Sequence, residues 1–99
     1  MAELITASEL ADELHIDQTP EPELATLGTL IQDASAIVRG SISPDLTEAD
    51  ALVKAPEQFN RLVGSVATSL YYDRSLSDGF SHGQMIILQQ LTGIVKGGA

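Results

Sequence analysis

Apolar residues recur along this chain at helical spacing, and no segment alternates apolar and polar positions as a half-buried strand would. The clearest stripe is Phe59, Leu62, Val63, Val66, Ala67, Leu70 and Tyr71, which keeps the i, i+3, i+4, i+7 rule without a break. Pro56 suits the first turn of this helix, where a missing N–H removes no bond, and the pattern predicts that it lasts to about Arg74. A second stripe of Leu24, Leu27, Ile31, Ala34 and Val38 predicts a helix from about Glu23 to Arg39. Pro20, Pro22, Glu21 and Glu23 favour its start, and Gly40 reads as its stop.

Shorter elements show in their caps. Thr6-x-x-Glu9 is a capping box, so residues 7 to 14 read as a short helix with Leu10, Ala11 and Leu14 on one face. Ser43-Pro44-Asp45 signals a turn, and Thr47-x-x-Asp50 can cap a helical piece ending at Lys54. Ser81-x-x-Gln84 is a second capping-box pattern, leading into a last helix from about Gln84 to Val95. Lys96 is favoured at its negative end, and Gly97-Gly98 should release the chain. The expected fold is all-α: one domain over residues 1 to 99, a small bundle of about four helices with one long central helix.

Within the last helix, Met85, Ile86, Ile87 and Leu88 are consecutive. At about 100° per residue they cover most of the helix circumference, which demands burial on nearly every side. In a thin bundle one side of this segment can meet another subunit. Ile86 points away from the line of Ile87, Leu91 and Ile94, so Met85 and Ile86 are candidate interface residues. Tyr71-Tyr72-Asp73-Arg74 closes the central helix. Tyr71 belongs to the core stripe. Arg74 either covers the last carbonyls or ties this end to an acidic element, in the same chain or a neighbour, and Tyr72 and Arg74 complete the candidate interface set.

With 99 residues and 43% hydrophobic content the chain can bury a core, though a thin one. The formal charge is −9, and eight acids precede the first base, Arg39. The five bases are scattered, which leaves no basic stripe for phosphates. There is no cysteine, hence no disulfide framework or thiolate metal site. His15 and His82 stand far apart without partners at ligand spacing, and the N-terminal acids match no cation loop. No Gly-rich phosphate loop and no Ser/His/Asp order is visible. Neither a signal peptide nor a membrane-length apolar run is present in the sequence. The chemistry therefore points away from an enzyme and from any cofactor.

The layout resembles the head-tail connector (adaptor) proteins of tailed bacteriophages. The resemblance spans residues 4 to 95. It rests on the leading string Thr6-Ala-Ser-Glu-Leu-Ala-Asp-Glu-Leu-His-Ile-Asp17, the acidic helix with its Ile31-Gln-Asp-Ala34 centre, the helix that opens after a proline and closes in Tyr71-Tyr72-Asp73-Arg74, and the short apolar last helix. It is one of layout and short strings; the connector at residues 40 to 56 and the short tail after Val95 depart from the pattern. The resemblance implies a virion component located at the neck: a ring, dodecameric in the particle, that binds the portal protein, extends the DNA channel and docks a downstream neck or tail-completion protein. DNA would pass without specific binding, and an acidic wall suits that role. The alternative is a small acidic helical protein-binding module or regulator unrelated to virions.

The charge distribution predicts no tight binding to duplex DNA at near-physiological salt. A gel-shift assay checks this, and a complex at micromolar protein would contradict it.

Overall fold

A computed structural model describes residues 3–14, 21–72 and 79–97. Five helices follow one another: α1 (Ala7–Glu13), α2 (Glu21–Ile42), α3 (Glu48–Lys54), α4 (Pro56–Tyr72) and α5 (His82–Gly97). The fold is all-α, with no strand among the described residues. The count exceeds the expected four because the capped piece at 48–54 is a helix in its own right, placing Ala51 in the core.

Each cap pattern in the described segments forms. The Thr6 hydroxyl accepts from the Glu9 amide, and the Glu9 carboxylate accepts from the Thr6 amide at 3.0 Å. Thr47 accepts from the Asp50 amide and starts α3. Ser81 and Gln84 exchange the same pair of bonds at the head of α5. These contacts satisfy amides that the helix itself leaves without partners.

Two expected helix ends move. Gly40 does not stop α2, which continues to Ile42. Ile42 is buried, so one further half-turn adds apolar burial, while the glycine costs little in a helix near its end. The actual stop is Pro44, which disfavours helical geometry at Ser43; a turn follows in which the Leu46 amide donates to the Ser43 carbonyl. At the other site, α5 begins at His82, directly after its Ser81 cap, and includes Gly97. The long helix α4 ends at Tyr72; its expected last residues, Asp73 and Arg74, lie outside the described residues.

The core is one cluster arranged around α4. Phe59, Leu62, Val63, Val66, Ala67 and Leu70 are all buried, as the stripe predicts. Helix α2 lies along α4 in the most extensive contact of the fold, supplying Leu27, Ile31, Ala34 and Val38. Helices α3 and α5 pack on other sides of α4, whereas α1 packs on α2. The result is a central helix with neighbours around most of its circumference.

Polar contacts fix the register of these layers. The Asn60 side chain of α4 brackets the chain start: its carbonyl accepts from the Ile5 amide at 2.9 Å and its amide donates to the Glu3 carbonyl at 2.7 Å. Between α2 and α3, the fully buried Ser35 donates to Glu48 at 2.9 Å, and Arg39 donates to the Ser35 carbonyl and hydroxyl at 3.2 Å. Tyr71 donates to Glu23 at 2.7 Å, joining the end of α4 to the start of α2. No buried side-chain nitrogen or oxygen among the described residues lacks a partner.

Leu62→Ala should destabilise the protein by about 2–5 kcal/mol, the range for emptying a fully buried leucine site. Val66→Asp should prevent folding, because it places a charge at a position with no exposure. Thermal and denaturant unfolding followed by circular dichroism check both. Asn60→Ala should leave the bundle folded and speed exchange of the Ile5 amide hydrogen, read by NMR.

Candidate functional site

Among the described residues no three His, Cys, Asp or Glu side chains gather in a way that would hold a metal ion. His82 is exposed on the first turn of α5, and His15 lies outside the described residues. No helix in the described residues is long and apolar enough to cross a membrane. The surface of interest is instead the outward side of α5.

That helix is set in place by Gln84, a buried polar residue. Its side-chain carbonyl accepts from the Ser81 amide at 2.8 Å, and its amide donates to the hydroxyls of Ser65 at 3.0 Å and Ser69 at 2.9 Å. One side chain thus closes the N-terminus of α5 and pins it to α4. Downstream, Leu88, Leu91 and Val95 enter the core, with Ile87 and Ile94 half-buried at its edge. The Thr92 hydroxyl donates back to the Leu88 carbonyl.

With the inward line fixed, the outward line follows from 3.6 residues per turn. Ile86 and Gly93, two turns apart, stand opposite Leu88 and Val95. Ile86 is 44% exposed and Met85 39%. The all-round burial expected of Met85 to Leu88 is not met within one chain: Leu88 is buried, Ile87 half-buried, and the other two face outward. Gln89, Gln90 and Gly93 continue this face, and a methyl group built on Gly83 or Gly93 would touch nothing within 4 Å. Ile86 therefore shares this face with two exposed glutamines and two glycines.

Charge separates this face from the rest of the molecule. All 14 acids lie at or before Asp78, so residues 79–99 carry none. The ionisable side chains of α5 are His82 at one end and Lys96 at the other. In a chain of net charge −9, this helix is the segment that a second negatively charged copy can approach with least repulsion.

The other candidate residues fall elsewhere. Tyr72 is 74% exposed on the last turn of α4, its ring edge-on to Tyr71 with centroids 5.1 Å apart. Arg74 lies outside the described residues. The described link between this end of α4 and an acidic partner comes from Tyr71 and Glu23. The structure thus places Met85 and Ile86 together on α5 and Tyr72 on a separate element.

Sequence reading missed a second surface feature. An open depression of about 310 Å³ lies between α2 and the end of α4, lined by Thr26, Thr29, Leu30, Asp33 and Leu70. Leu30 and Leu70 are nearly buried; Thr29 and Asp33 are exposed. The four α2 residues are spaced along two turns, which a stripe count records only as the margin of the apolar face. Val53 on α3, 79% exposed, also escaped notice, but a lone exposed apolar residue is ordinary.

No protein family, no curated protein and no solved structure matches this chain.

Gln84→Ala should destabilise by about 1–3 kcal/mol, because it removes the acceptor of the Ser81 amide, one half of the α5 capping box, and leaves the Ser65 and Ser69 hydroxyls without their shared partner. Denaturant unfolding measures the loss, and a cost within error of zero would show that packing alone holds α5.

Proposed function

We propose that this chain is a structural subunit that works by assembly, of the kind its sequence layout resembles: a head-tail connector of a tailed bacteriophage. The observation that carries the reading is the outward face of α5. It combines the exposed Met85 and Ile86 with an acid-free helix on an otherwise strongly acidic chain. A hydrophobic site of this kind favours a protein partner, and the low local charge permits that partner to be another copy.

On this reading copies form a ring beneath the portal protein, and a downstream neck or tail-completion protein docks on the other side. The place of action is the virion neck. The remaining acids would keep the channel negative, so DNA slides through without being gripped. Chemistry plays no part, and the contribution of each residue is to shape and to contact. Free subunits of like charge repel one another, so assembly is helped by salt and by the portal as a template.

Ile86→Asp should abolish self-association and portal attachment while leaving helix content unchanged. Size-exclusion chromatography with light scattering, with and without portal, checks this for wild type and variant. A wild type that stays monomeric with portal present would overturn the ring reading and leave a helical binding module in its place. Genes for a portal and a major capsid protein beside this one would support the virion role.

A further inference from the structure

The depression between α2 and the end of α4, about 310 Å³ in volume, is lined mainly by polar groups. Thr26, Thr29, Leu30 and Asp33 stand at i, i+3, i+4 and i+7 on one face of α2. Leu30 and Leu70 are almost wholly buried, so little apolar surface is left for a hydrophobic guest. We infer that this depression receives a lysine side chain of a partner protein. The inference is independent of self-association. It names a contact for a different protein, and it stands whether or not copies of this chain form a ring.

The lining presents acceptors. Residues 26 to 33 lie inside α2, past the four leading amides that a helix leaves open, so their N–H groups are spent in the helix itself. The Thr29 hydroxyl gives its hydrogen to the Ala25 carbonyl at 3.1 Å and has only lone pairs to offer a guest. Asp33 is exposed, accepts only, and has no partner among the described residues. One turn before Thr26, Glu23 adds a second carboxylate, one oxygen of which takes the Tyr71 hydroxyl at 2.7 Å. An exposed aspartate on a helix is ordinary by itself. Here it stands at the edge of a hollow that can admit one side chain. An anion would meet negative charge and no N–H, whereas a cation finds charge and lone pairs together.

Lysine fits this set best. An ammonium carries three donors around one point, on a four-carbon stem. It can bond Asp33 and the threonine hydroxyls together, while the stem crosses the rim and the partner's main chain stays outside. A guanidinium is planar and forked, suited to the two oxygens of one carboxylate, and gains less from scattered hydroxyls. A second copy is a poor source of the cation. The chain has five bases against 14 acids, and a copy of charge −9 is repelled from an acidic surface. Arg39, the base on α2 itself, is turned to Ser35, donating to its carbonyl and hydroxyl at 3.2 Å. The guest therefore comes from another protein that presents lysine on its surface.

The test is an NMR titration of the isotope-labelled full chain with N-acetyl-glycyl-lysyl-glycinamide at fixed, near-physiological salt. Screening at that salt suppresses long-range attraction and leaves direct contact. The expected result is a set of saturable amide shifts confined to Thr26, Thr29, Leu30, Asp33 and Leu70. The same peptide acetylated on its lysine Nζ should lose them, because acetylation removes the charge. Asp33→Asn should weaken binding several-fold, and Thr29→Val to a lesser degree, each with wild-type helix content by circular dichroism. Binding that Asp33→Asn leaves unchanged would overturn the inference. So would shifts spread evenly over other exposed acids such as Asp12 and Glu57, which mark a diffuse ion cloud. An arginine peptide that binds more tightly than the lysine peptide would overturn the choice of lysine, and no shift at all would overturn the site.

Discussion

The burial of α4 is the constraint on which the other elements depend. Six of its apolar residues are almost wholly out of contact with water, and no single neighbour can cover them all. Helix α2 covers the longest part, α3 and α5 cover the remainder, and α1 is held mainly through α2. The apolar drive is non-directional and scales with area, so it explains why the chain collapses around this helix but not why each neighbour sits in one register. Without α4 the remaining amphipathic helices would have no common surface on which to close.

Register comes from a few hydrogen-bonded side chains. Asn60, Gln84, Ser35 and Tyr71 each bridge elements that are distant in sequence or joined by a loop. Each is at least partly withdrawn from water, where an unmade bond is costly, so each disfavours a slipped arrangement more than it adds to the total stability. The division of labour suits a small core, which has little apolar area to spare for selecting among near-equal packings.

Much of this was legible in the residues. The stripe from Phe59 to Tyr71 located the central helix, because periodicity is a local property that burial enforces directly. The caps at Thr6, Thr47 and Ser81 were legible for the same reason: donor and acceptor lie within one turn. What escaped was non-local. Asn60 reads as one polar residue on a helix, and nothing near it in the sequence announces that its amide will bracket Glu3 and Ile5. Gln84 was recognised as a cap, not as the bridge to Ser65 and Ser69. The extension of α2 past Gly40 depended on whether Ile42 would find a buried place, which is a matter of packing. Met85 and Ile86 were singled out from four consecutive apolar residues and are exposed in the fold, whereas the depression beside Leu30 arises only when α2 meets the end of α4.

The attachment of α5 through Gln84 has a consequence for how such a chain can change. Because the helix is fastened at its first turn to the middle of α4, its position is set by that fastening and not by the length of the connection before it. The entropy of closing a loop grows only slowly with the number of residues in it. A change in the number of residues joining the two helices would therefore cost little and leave the outward face of α5 where it is.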